Sequence, residues 1–120
     1  VYTEDMTKRT YPVVVLVDYT SASASEILAA SFQDNYKKAT LVGTITYGKG
    51  TIQKAVKLSS GATVKYTTQK WLTPKGVWIN EVGLTPDVLL EIGDKYKEAP
   101  SDENDLQLQK AIELLSEKKN

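Results

Sequence analysis

The chain has 120 residues, 15 Lys and Arg against 15 Asp and Glu, and neither histidine nor cysteine. The charge balance removes the basic footprint of a nucleic-acid or anionic-membrane binder. Disulfides, thiolate sites and imidazole ligands are excluded, a metal would need an all-carboxylate cage that no local acidic cluster suggests, and neither cofactor nor metal is expected.

The length fits one domain. The opening Val1-Tyr2-Thr3-Glu4-Asp5 has no start methionine and no charged-then-apolar leader, and it reads as a piece of a longer polypeptide. Val13 to Val17 is an unbroken β-branched and leucine run, the pattern of a strand buried on both faces in a parallel sheet. Asp18-Tyr19-Thr20 turns the chain, and a helix is expected from Ser21 or Ser23 to about Lys38, with Ile27, Leu28, Ser31 and Phe32 at helical spacing and Glu26 in the first turn. Thr40-Leu41-Val42, closed by Gly43, reads as the next parallel strand of a β-α-β crossover.

From Thr51 the period changes to two. Ile52, Val56 and Leu58 point one way, Ser59-Ser60-Gly61 supplies a hairpin turn, and Thr63 to Leu72 is the partner strand. Pro74-Lys75-Gly76 makes a further turn before Val77-Trp78-Ile79, and Pro86-Asp87 precedes a last strand, Val88 to Ile92, so this half is expected to be mainly antiparallel. Gly93 to Asp102 reads as a linker, and Leu108, Ala111, Ile112 and Leu115 mark the apolar face of a helix ending in Lys118-Lys119.

The serines at the helix entrance invite a chemical reading. A helix N-terminus behind a strand offers unpaired backbone amides where negative charge would develop, and Ala22 and Ala24 leave room for a substrate backbone. The same pattern serves a plain helix cap by Ser21, Ser23 or Ser25. A serine nucleophile needs a base, and without histidine or cysteine the candidates are lysine, carboxylate or tyrosine. Lys49, between Gly48 and Gly50, is the best of them. A lysine acts as a base only when neutral, which burial favours, and Ile45, Tyr47 and Ile52 are expected to wall it off while the glycines permit close packing. Gln53, four residues on, lies on the same side if the segment is extended. The run Gly43 to Thr51 nearly matches the nucleotide loop G-x-x-x-x-G-K-[ST], but it has Gly50 where the magnesium-binding hydroxyl belongs, and a strand pattern follows where a helix should.

Taken together, the segments Ser21-Ala22-Ser23-Ala24-Ser25-Glu26-Ile27-Leu28-Ala29, Gln33-Asp34, Val42-Gly43, Tyr47-Gly48-Lys49-Gly50-Thr51-Ile52-Gln53, Lys70-Trp71-Leu72-Thr73-Pro74 and Gly83-Leu84-Thr85-Pro86-Asp87-Val88 resemble the C-terminal processing peptidases, or tail-specific proteases. The resemblance implies an α/β fold, a fragment of a crotonase- and Clp-protease-like core with a parallel β-α-β unit followed by antiparallel strands and a C-terminal helix. It divides the chain into residues 1–98, the C-terminal part of the catalytic core, and 99–120, a linker and amphipathic helix. It implies peptide-bond hydrolysis through an acyl-enzyme, with Ser23 as nucleophile, Lys49 as base, Gln53 positioning the lysine and the Ala24 amide as an oxyanion donor. It further implies protein or peptide substrates with unstructured C-termini, an extracytoplasmic location in the bacterial cell envelope or secreted, and a homo-oligomer assembled through the terminal helix. Relatives also carry a PDZ domain and an earlier part of the core, with a glycine-rich turn, that these residues lack. The contrasting expectation is a non-catalytic peptide-binding or assembly piece, with strand edges around Trp71 and Trp78 adding an extended peptide.

Overall fold

The computed structural model describes residues 8–117, so the expectations for Val1 to Asp5 and Lys118-Lys119 fall outside the described residues. The first strand, β1 (Val13–Val17), leads through helix α1 (Ala24–Asn35) to β2 (Ala39–Gly43), which lies parallel to β1 with Val15 beside Leu41 and Val17 beside Gly43. This is the expected crossover. Strands β3 (Thr51–Lys57) and β4 (Thr63–Lys70) form a separate antiparallel hairpin with an irregularity between Ile52 and Gln53. The chain then returns to the first sheet as β5 (Val88–Leu89), followed by the short helix α2 (Asp94–Glu98) and by α3 (Leu106–Glu117).

The core lies between α1 and the sheet. Val17, Ala29, Ala30, Leu41, Ile79 and Leu84 are buried together, with Val15, Phe32 and Trp71 packed against them. Complete burial of a side chain such as Leu41 or Ile79 stabilises the fold by roughly 1.5–3 kcal/mol. Val42 is equally buried, and strand alternation puts it on the opposite sheet face, the side left for α3, which packs on β1 and β2. The segment at the end of the sheet is tied to that helix, because Gln107 Nε2 donates to the Leu90 carbonyl at 2.8 Å and the Leu106 amide to that of Ile92 at 3.3 Å.

Several expectations are corrected. In α1 the core side is Glu26, Ala29 and Ala30, and Ile27 and Leu28 are exposed, because small residues let the helix approach the sheet closely. The helix stops at Asn35, three residues short of Lys38, where the Tyr36 amide closes the last turn onto Phe32. Strand β1 is only half-buried with Leu16 exposed, since it is the outermost strand of its sheet.

Strand β5 pairs parallel with β2, not antiparallel, and is two residues long. Residues 71–87 carry the chain across before it enters, and Asp87 fixes the entry by accepting the Leu41 amide at 2.7 Å. The expected linker contains α2, and in α3 it is Gln107 and Ala111 that are buried while Ile112 is exposed. Residues 77–79 form no strand, and β4 ends at Lys70, before Leu72, for a reason that lies in the site.

Candidate active site

Ser23 occupies a tight turn at the entrance to α1. Its φ of 55° and ψ of −114° fall outside the regions open to ordinary L-residues, and the Ser25 amide donates to the Ala22 carbonyl at 3.2 Å. These are the dihedrals of the first central residue of a type II′ turn, a position that favours glycine. Holding serine there costs about 1–3 kcal/mol, and such strain recurs where a side chain must be presented in one direction. Ala24 opens the helix, so its amide belongs to the first turn, whose N–H groups lack intrahelical partners. The other serines stand differently: Ser21 Oγ accepts the Asp18 amide at 3.1 Å, and exposed Ser25 does not line the cavity that Ser23 lines.

The approach to this turn is set by Asp18. Its carboxylate accepts the Thr20 hydroxyl, the Thr20 amide at 2.8 Å and the Ser21 amide at 3.2 Å. These bonds, the Thr20 hydroxyl foremost, hold the Asp18 carboxyl below its ordinary value of 3.8 against a smaller opposing effect of burial.

Lys49 presents the reverse arrangement, with an exposed side chain on a fully bonded backbone. The amides of Gly48 and Lys49 donate to Glu26 at 2.6 and 2.9 Å, and that of Gly50 to Asn80 Oδ1 at 3.2 Å. The Gly48 carbonyl accepts the Glu81 amide at 2.8 Å, the Lys49 carbonyl accepts Trp71 Nε1 at 2.9 Å, and the Gly50 carbonyl accepts the Trp71 amide and Trp78 Nε1, both at 3.0 Å. Both indoles are therefore committed to the lysine loop, which is why the chain around them leaves strand geometry. They do not form the strand edge expected for them.

The expected close packing of the glycines is present: a Cβ on Gly48, whose φ is +86°, would come within 2.8 to 3.0 Å of backbone atoms of Gly83, Val82 and Ile79. The expected burial of the lysine is not. Lys49 is exposed, as are Ile45, Tyr47 and Ile52, because the chain turns its packing surface at this point into backbone contacts and leaves the side chains outside. The loop amides are occupied and a strand follows directly, so a phosphate cradle is absent among the described residues, as the sequence indicates.

Glu26, in sequence terms a favourable charge in the first helical turn, joins the two loops. Glu26 is completely buried. Its Oε2 accepts the amides of Ser23 and Lys49, each at 2.9 Å, and its Oε1 accepts the Thr46 hydroxyl and the Gly48 amide, each at 2.6 Å. The backbone nitrogens of Ser23 and Lys49 are thus no farther apart than two hydrogen-bond lengths. Thr46 extends the link, since its hydroxyl oxygen accepts the Leu84 amide at 2.7 Å. The available signal was the S-x-x-E pattern of Ser23 and Glu26, a capping-box spacing.

Ser23, Lys49 and Gln53 all line one open cavity of about 360 Å³, and Gln53 and Lys49 also line the adjoining one. The irregularity in β3 directly before Gln53 fixes which way that side chain faces. The cavity thus brings together a hydroxyl on a strained turn, an amine on a rigid loop, an amide side chain and a helix entrance. The remaining motif residues hold the frame around it. Gln33 Nε2 donates to the Thr85 carbonyl at 2.9 Å, and Asp34 accepts the Lys75 amide at 3.1 Å.

Residues 2–90 match the profile of Peptidase family S41. The carboxy-terminal processing protease CtpB of Bacillus subtilis is 42% identical over 95 residues, covering 78% of this chain and 19% of that protein. The C-terminal processing peptidase, chloroplastic, of Tetradesmus obliquus is 48% identical over 80 residues, covering 67% of this chain and 17% of that protein. The solved photosystem II D1 C-terminal processing protease superposes with a TM-score of 0.62 at 48% identity, over 67% of this chain and 20% of that one. The chain spans about a fifth of the length of these relatives. With the serine turn, the lysine loop and the segments that bind them all inside the matched residues, the chain belongs to Peptidase family S41.

Proposed function

We propose that this chain is the nucleophile-bearing part of a serine endopeptidase that cuts proteins near unstructured C-termini, outside the cytoplasm, with Ser23 as nucleophile and Lys49 as general base. The observation that carries the reading is the single buried carboxylate of Glu26, which anchors the Ser23 turn and the Lys49 loop on one oxygen and sets both over one cavity with Gln53. Two backbones fixed to a common point hold a reactive pair in register, which is the entropic part of catalysis.

As Ser23 Oγ bonds to the substrate carbonyl carbon, Lys49 Nζ takes its proton and the carbonyl electron pair moves to oxygen. The Ala24 amide stabilises that oxyanion together with a second donor from the remainder of the core, whose completed form would be crotonase- and Clp-protease-like. Collapse breaks the C–N bond, the lysine ammonium returns the proton to the leaving amine, and an acyl-enzyme on Ser23 remains. Water then attacks the ester, Lys49 accepting its proton and returning it to Ser23 as the acid leaves. Gln53 orients the amine. Lys49 is exposed in this chain, so the reaction is assigned to the full-length protein, where bound substrate and the rest of the core exclude water.

The test is hydrolysis of a substrate with an unstructured C-terminal tail by the full-length protein and its Ser23→Ala and Lys49→Ala variants. Each substitution is expected to lower kcat by at least about 10³-fold with folding intact. Undiminished activity in both variants overturns the reading.

A further inference from the structure

Resting on that reading, a second feature of the cavity bears on what it accepts. The hairpin, residues 51–70, carries Lys54, Lys57, Lys65 and Lys70 and no acidic residue, in a chain whose charges balance as a whole. Strand register places Gln53, Ala55 and Lys57 of β3 on one face with Thr67, Lys65 and Thr63 of β4. Gln53, Ala55 and Lys65 line the cavity together with Ser23 and Lys49, and Thr51, Ile52 and Lys54 complete the lining, so this face supplies part of its floor.

The cations on that floor are not neutralised locally. Among the described residues the lysines in ion pairs are Lys75, Lys97 and Lys110, and Lys70 lies 4.9 Å from the Trp78 ring centre. Lys57 and Lys65 have no carboxylate partner among the described residues, and both are exposed.

We infer that Lys65, with Lys57 beyond it, is a specificity-determining residue that selects peptides bearing a carboxylate two or four residues from the cleaved bond. The spacing follows from strand geometry. A two-residue step along a strand is about 7 Å, which puts Lys65 one step and Lys57 two steps from Gln53 along the floor. An extended peptide lying on this floor with its reacting carbonyl level with Gln53 shows alternate side chains to it, so its second and fourth residues from that carbonyl meet these ammonium groups. An unpaired cation at a cleft wall attracts the complementary charge and penalises a like one. The carboxylate comes either from an acidic side chain or from the α-carboxyl group of a peptide that ends there.

The experiment uses fluorogenic peptides with one Glu or Gln two or four residues to either side of the cleaved bond, and peptides ending there as free acid or amide, with the full-length protein. Wild type is expected to favour the carboxylate form by about fivefold in kcat/KM through KM, and to lose the preference as salt rises. Lys65→Met is expected to abolish the preference and Lys65→Glu to invert it, while Lys97→Met, on α2, leaves it as it was. Preference for the Glu peptides assigns the side-chain source, and preference for the free acids assigns the chain end.

A parallel arm measures binding of labelled peptides to the Ser23→Ala protein by fluorescence anisotropy and needs no hydrolysis. The same preference there supports the inference even if the protein cuts nothing, which would be the failure of the proposed reaction alone. Equal binding of charged and neutral peptides, or a preference untouched in Lys65→Met, Lys65→Glu and Lys57→Met, overturns it. Thermal melts of the variants exclude loss of fold as the cause.

Discussion

The Ser23 turn and the Lys49 loop face one cavity but are held by opposite means. The serine keeps its direction through a dihedral angle that the chain itself disfavours, whereas the lysine loop puts glycine at its one positive φ and is made rigid by its neighbours, every backbone group of Gly48-Lys49-Gly50 being bonded. One stores its geometry as strain and the other as saturation. A strained turn relaxes when its residue is changed, while a saturated loop moves when a partner is removed or a side chain is forced between them, so the two can be separated by mutation.

Removing the element they share produces the largest effect. Glu26→Ala strips acceptors from the amides of Ser23, Gly48 and Lys49 and from the Thr46 hydroxyl, and each buried unsatisfied donor costs about 1–3 kcal/mol. A loss of at least about 3 kcal/mol in denaturant unfolding is expected, with activity gone, and a smaller loss in Glu26→Gln, which keeps an acceptor oxygen.

Gly48→Ala disturbs the lysine side alone. Its methyl group meets three backbone atoms at 3.0 Å or less at a φ of +86°, and a cost of about 2–3 kcal/mol is expected together with a fall in kcat.

Ser23→Gly acts on the serine side alone. It should be more stable than Ser23→Ala by about 1 kcal/mol, because glycine accepts the turn dihedrals, while both variants are inactive. Equal melting temperatures for the two would show that the turn is not strained.

The smallest effect concerns the approach to the turn. The Asp18 carboxyl in the folded state lies below its ordinary value of 3.8, so it contributes stability above that pH and the contribution disappears as pH falls through the lower folded value. In acid unfolding profiles the stability difference between wild type and Asp18→Asn should therefore be constant above about pH 3.8 and shrink as pH falls below it, vanishing once the lower folded value is passed.

Much of this was legible in local pattern. The run Val13 to Val17, the crossover to Leu41-Val42 and the hairpin around Ser59-Ser60-Gly61 are signals carried by neighbouring residues, and the structure contains all three elements. Ser23, Lys49 and Gln53, singled out by local pattern, line one cavity.

What escaped depends on partners far apart in sequence. The role of Glu26 is defined by bonds reaching Thr46, Gly48 and Lys49, and nothing within a helical turn of it announces them. The indoles of Trp71 and Trp78 read as strand residues until their bonds to the carbonyls of Lys49 and Gly50 are seen. Hydrophobic spacing in α1 points to Ile27 and Leu28 because it ranks large residues first, while close packing on a sheet selects Ala29 and Ala30.

The bridge through Glu26 has a consequence for timing. Its partners span Ser23 to Lys49, and the segment that braces the far side, from Ile79 to Leu84, leaves the ribosome later still. Until Thr46, Gly48 and Lys49 have closed onto Glu26, the Ser23 turn and the Lys49 loop are separate segments with no fixed distance between them.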